Sequence, residues 1–130
     1  MANVFVTSPT FTTTVNGANT YILPPGSTGP TSPVSRWEIE LANSAFNGTL
    51  IVKARLAGNN GTWKAVPYFG DFVNGAVGTG LPVTANLGTN GAAMTGDTLI
   101  AVDAAEREVA LDCTAFTSGS AVLTARLIQG

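Results

Sequence analysis

The 130-residue chain contains no histidine and a single cysteine, Cys113. Ser-His-Asp and Cys-His nucleophilic catalysis are thereby excluded, together with the commonest metal ligand. One thiol without imidazole cannot assemble any usual zinc site, and it cannot form an internal disulfide. No phosphate-cradling glycine loop, dinucleotide fingerprint or calcium-loop spacing is present. The chemistry left to consider belongs to carboxylates. Glycoside hydrolysis needs two of them held roughly 5–10 Å apart across a cleft, and Asp71, Asp97, Asp103 and Asp112 are the candidates. Asp71, Asp97 and Asp103 fall at expected strand ends or turns, where Asp accepts backbone N–H bonds. The pattern predicts turn-forming or solvated Asp, with no catalytic residue, no metal site and no cofactor.

Aromatic side chains offer a second kind of site, a stacking platform for a sugar, and Trp37, Trp63, Tyr68 and Phe69 are the residues for it. Trp37 and Trp63 fit the apolar faces of their expected strands, so core packing is their predicted role. Tyr21 and Tyr68 adjoin Pro-rich or Gly-rich segments and are the expected exposed aromatics. Asn47-Gly-Thr and Asn60-Gly-Thr match the glycosylation sequon, but each also reads as an ordinary hairpin turn. A self-formed Lys–Asn crosslink needs a buried Lys beside a carboxylate, and Lys53 is expected on the polar side of its strand. Cys113 lies inside a strand pattern and is expected to be a buried small hydrophobe.

Strands must position these residues, because no 3.6-residue apolar period extends over three turns. In residues 34–42, Trp37, Ile39 and Leu41 alternate with Arg36, Glu38 and Glu40, as in a half-buried strand. Asn47-Gly48 is the expected turn into a second strand at 49–57, where Leu50, Val52, Ala54 and Leu56 alternate with Lys53 and Arg55. A turn at 58–61 leads to a third strand at 62–69, completing a β-meander centred on the two tryptophans. Upstream, residues 3–7, 10–15 and 20–23 read as extended. Residues 23–33 carry four prolines and two glycines, so they form either a linker within the domain or an arm lying on a neighbouring subunit. Downstream, short strands are expected at 72–77 and 81–87, and a surface loop at 88–96. Three closing strands follow at 97–103, 108–113 and 120–128, with turns at 104–107 and 117–119. Eight to ten short antiparallel strands predict an all-β single domain over 1–130, a two-sheet β-sandwich or jelly-roll-like arrangement, with 1–33 supplying N-terminal strands and a Pro-rich arm or loop.

Apolar residues make up 45% of the chain and charged residues only 11%, against roughly 25% in an average domain. So sparse a charge shell gives little protection against self-association and suits a surface that lies against other protein. The net charge is −2, and the six cations are scattered, which disfavours nucleic-acid binding. Neither a signal-peptide pattern nor an apolar run of about 18 residues is present. The chain is expected to be made in a cytoplasm, not secreted, and to stay off membranes.

The segments Thr98-Leu-Ile-Ala-Val-Asp-Ala, Val109-Ala-Leu-Asp, Thr114-Ala-Phe-Thr-Ser-Gly-Ser and Leu123-Thr-Ala-Arg-Leu-Ile resemble the closing strands of small virion structural proteins of tailed bacteriophages. Gly48-Thr-Leu-Ile-Val-Lys-Ala-Arg and Gly61-Thr-Trp-Lys-Ala-Val-Pro-Tyr are similar to the same class, so the likeness spans roughly residues 34–130. The resemblance implies a non-enzymatic capsid decoration or cement protein, a homo-oligomer on the virion surface that binds the major capsid protein. A head- or tail-fibre or lectin-like receptor-binding module is the alternative, with a neck or tail component beside it; a glycan ligand is not favoured. The expected interface residues are Phe5, Phe11, Tyr21, Pro24, Pro25, Pro30, Pro33 and Tyr68.

Overall fold

The computed structural model describes residues 6–7, 10–24, 35–56, 60–105 and 107–129. All the regular structure among them is strand: β1 (Val6–Thr7), β2 (Phe11–Val15), β3 (Thr20–Ile22), β4 (Arg36–Leu56), β5 (Asn60–Ala65), β6 (Tyr68–Val73), β7 (Ala76–Val77), β8 (Pro82–Val83), β9 (Thr98–Asp103) and β10 (Arg107–Gln129). Every pairing is antiparallel.

Two long strands form the spine. β4 and β10 pair from Arg36↔Ile128 to Leu56↔Arg107, through a region where the register shifts three times between Cys113 and Ser120. The sequence pattern shows why the shifts are needed. Buried positions in β4 are odd at Trp37, Ile39 and Leu41, then even at Phe46, Leu50, Val52 and Ala54. A strand with strict period two cannot keep both sets inward, so one residue must be absorbed between them. Ala45 absorbs it in the left-handed region, at φ 53°. Opposite it, Gly119 sits at φ 79°, and any Cβ there would collide with the Ala45 carbonyl oxygen.

The expected turns at Asn47-Gly48 and 117–119 are therefore corrected. Asn47 pairs with Ser118 and Gly48 with Phe116, so both strands run on through a shared corner. The residues that look like turn formers anchor that corner. Asn43 Oδ1 accepts from Phe46 N (2.9 Å), and Asn43 Nδ2 donates to the Met94 carbonyl (2.7 Å). Asn47 Oδ1 accepts from Gly91 N (2.8 Å). Through these bonds residues 87–94 are drawn onto the corner, burying Leu87 and Met94. The expected meander likewise dissolves, since its first two strands are one. Its third strand ends early because Pro67 has no N–H to pair, and the chain leaves β4 there. The strand expected at 72–77 is the tip of the β6–β7 hairpin, turned by Asn74-Gly75 with both residues at positive φ. The strand expected at 81–87 shrinks to β8.

Before the corner the order is β2 (with β1)–β10–β4–β9–β6, with β7 and β8 on the far edge of β6. Beyond the corner it is β3–β10–β4–β5. Both halves feed one buried cluster, which includes Trp37, Ile39, Leu41, Phe46, Leu50, Ile100, Leu111 and Leu123. Val15 and Leu23 belong to it too, so the N-terminal strands are part of the core. Each fully buried Leu, Ile or Phe contributes about 1.5–3 kcal/mol. Cys113 is buried as expected.

Candidate functional site

Three of the four candidate carboxylates serve separate local purposes. Asp97 Oδ1 accepts from Asn43 N (2.9 Å) and Asp103 Oδ1 from Ala105 N (3.0 Å). Asp112 meets Lys53 across the strand pair and accepts from Thr20 Oγ1 (3.1 Å). Asp71 is exposed within β6 rather than at a strand end. Among the described residues, no group of three or more His, Cys, Asp or Glu is placed to hold a metal ion.

The aromatic residues divide differently from the expected platform. Trp37 is buried, as its alternation predicts. Trp63 is only half-buried, under the Arg55 guanidinium at 4.2 Å, because its strand lies at an edge and Trp63 is opposite a cation instead of the core. Tyr68, expected exposed, is 2% exposed. Its ring fills the core and its hydroxyl donates to the Ala85 carbonyl (2.9 Å), and burial pushes the phenol's pKa up. Burial likewise raises the Cys113 thiol, aided by neighbouring Asp112 and opposed by hydrogen bonds to Ala115 and Asn19.

Of the other expected interface residues, Phe5, Pro25, Pro30 and Pro33 lie outside the described residues. Phe11 and Tyr21 are partly buried and packed on the core. The Tyr21 hydroxyl donates to the Gly17 carbonyl (2.9 Å) and accepts from Asn16 N (3.2 Å), closing the β2–β3 connection. Pro24 is exposed.

A more prominent surface is made by β6 and its neighbours. In Tyr68-Phe-Gly-Asp-Phe-Val73, strict alternation would put Phe69 and Phe72 on opposite faces. Phe69 pairs with Ala101, Gly70 with Ile100 and Phe72 with Leu99, leaving Asp71 as an extra, bulged residue. Both phenylalanines thus point outward, 49% and 47% exposed, and Val77, 79% exposed, pairs opposite Phe72. Signals for this surface were present in the sequence: a Gly-Asp pair inside an aromatic strand, and the Asn74-Gly75 turn just after it. The outward row continues across the sheet as Phe72–Leu99–Glu40–Thr124 and Phe69–Ala101–Glu38–Arg126. Glu40, Phe72, Asp97 and Leu99 line a shallow groove of about 280 Å³.

A second groove, of about 570 Å³, lies beyond the corner beside β5. Leu56 and Val66 form its apolar wall, and Arg55, Lys64 and Arg107 bring cations to it. Among the described residues no helix is long and apolar enough to cross a membrane. No protein-family model, curated protein sequence or solved structure matches this chain.

Proposed function

We propose that the chain is a non-enzymatic virion structural protein of the capsid decoration type, binding the outside of a phage shell and stabilising contacts between major capsid proteins. In this reading the two halves of the bent sheet face one another as a β-sandwich, and the protein resides on the capsid surface in many copies. The observation that carries it is the outward Phe69 and Phe72 of β6, with the exposed Val77 paired opposite Phe72 at the sheet edge. Contiguous exposed apolar surface beside unpaired strand edges is a hazard in an isolated monomer and an asset in an assembly. The use of Asp97, Asp103 and Asp112 in backbone bonds and ion pairs supports a non-catalytic role. A ligand that binds only the assembled shell stabilises it by mass action.

Cosedimentation with shells lacking the protein, followed by heating of bound and bare particles, tests the proposal. Saturable binding at a fixed ratio to the major capsid protein, with a raised disruption temperature, is the expected result. Absence of binding would remove the decoration role and send the protein to the fibre, neck or tail classes.

The receptor-binding alternative gains one specific observation, the groove in which Phe72 lies with the carboxylates of Glu40 and Asp97. An aromatic face with flanking acceptors is the arrangement a sugar ring would use. Silence on a glycan array would sink that reading.

A further inference from the structure

Charge is paired unevenly over this molecule. Arg36 and Arg126 both reach Glu38, Lys53 reaches Asp112, and Arg55 reaches Glu108. The two remaining cations, Lys64 and Arg107, have no ion-pair partner among the described residues, and both line the groove beside β5. That groove is walled by Val66 and by Leu56, which is 68% exposed. On the β6–β9 face the imbalance is reversed. Among the described residues Glu40 and Asp71 are exposed and have no ion-pair partner, and Asp97 bonds a backbone N–H instead. Glu40 and Asp97 line one groove with Phe72, and Asp71 is the bulged residue between Phe69 and Phe72. The two surfaces share no residue.

We infer that these surfaces are the two sides of one contact: the aromatic, acidic β6–β9 face of one copy docks into the basic groove beside β5 of a second copy, head to tail. The phenyl rings fill the apolar groove, where the cations at its rim also favour an aromatic face. Ion pairs from Lys64 and Arg107 to the acidic rim set the orientation. Since the docking surfaces differ, each bound pair keeps one of each kind free. The contact therefore propagates, into a ring if the rotation closes and into a filament if it does not. This inference rests on the proposed function in that many copies gather on one surface, and its test uses purified protein without shells so that the two can fail separately.

Sedimentation velocity is measured on the whole chain and on two double variants, Phe69→Ser with Phe72→Ser and Lys64→Glu with Arg107→Glu. Thermal melts confirm that each variant is folded, and Phe72→Thr and Lys64→Gln are milder substitutes for any that is not. The unaltered chain should associate with rising concentration up to about 1 mM, and less so as salt rises from about 50 to 500 mM. Each variant alone should associate at least about tenfold more weakly. An equimolar mixture should recover a dimer that grows no further, because each variant keeps the surface the other lacks. An unaltered chain that stays monomeric, or a variant that associates normally, overturns the contact. A mixture that stays monomeric overturns the head-to-tail arrangement. Shell binding without self-association would keep the decoration reading and remove this contact from it.

Discussion

At the scale of single residues, the corner and the buried acids carry the sharpest consequences. Gly119 holds a positive φ in direct apposition to the Ala45 carbonyl. Gly119→Ala should therefore cost about 1–3 kcal/mol through backbone strain and the forced shift of β4. Chemical denaturation measures it, and an unchanged midpoint would mean the corner is softer than its geometry. Phe46 packs beneath the same corner, 5.8 Å from the Phe116 ring centroid, and is fully buried. Phe46→Ala should cost about 3–5 kcal/mol. Burial raises the Cys113 thiol and Tyr68 phenol above their ordinary values of 9.0 and 10.0. Each acid then holds its proton more tightly in the folded chain than in the unfolded one. The stability this gives is whole below about pH 9 and is lost as pH climbs through the folded values. Melting temperature should therefore decline above that pH. Cys113→Ala should flatten the earlier part of the decline and Tyr68→Phe the later part. The second change also removes the bond to Ala85, worth about 1 kcal/mol at neutral pH. A decline unaltered in both variants would place its cause elsewhere.

At the scale of elements, the N-terminal strands change how an arm can be tested. A truncation of residues 1–33 reads from the sequence as one that leaves a folded core. In the structure β2 and β3 edge both halves of β10, and Val15 and Leu23 are in the core. The truncation should abolish cooperative melting. Replacing only residues 25–33 with Gly and Ser should preserve it, and shell binding by that variant then reports on the Pro-rich segment alone. A cooperative melt from the truncated chain would contradict the placement of β2 and β3. What the sequence displayed well were strands with clean alternation, such as 34–42 and 97–103, because period two depends only on which face is buried. Asn-Gly was read poorly, because its tolerance of positive φ suits both a hairpin and a bulge. Asn74-Gly75 turns a hairpin, whereas Asn47-Gly48 lies inside a continuous strand. The phase change from odd to even burial in β4 was the clue that separated them, and it is visible only once both halves are assigned to one strand. The Phe69–Phe72 surface was hidden for a related reason, since a bulge overrides the alternation by which exposure is inferred.

At the scale of the whole molecule, β4 and β10 hold both halves of the sheet together, and every other strand attaches directly or indirectly to that pair. The pairing of Val6 with Gln129 also brings the two ends of the described chain side by side. Ends that are adjacent in space permit circular permutation, provided the new break falls where few contacts cross. Gly80 is such a place. It is exposed, its φ is 77°, and apart from its own chain neighbours nothing lies within 4 Å of where a Cβ would stand. A permutant with linked ends, opened after Gly80, should fold with a cooperative melt near that of the unpermuted chain. One opened between Asn47 and Gly48 should not. A hairpin turn there would tolerate the break, but a continuous strand loses the covalent path that carries its bend between the halves. Side-by-side melts of the two permutants decide between these architectures. Equal tolerance at both sites would return the corner to a pair of hairpin turns, and with it the spine on which the two docking surfaces are set apart.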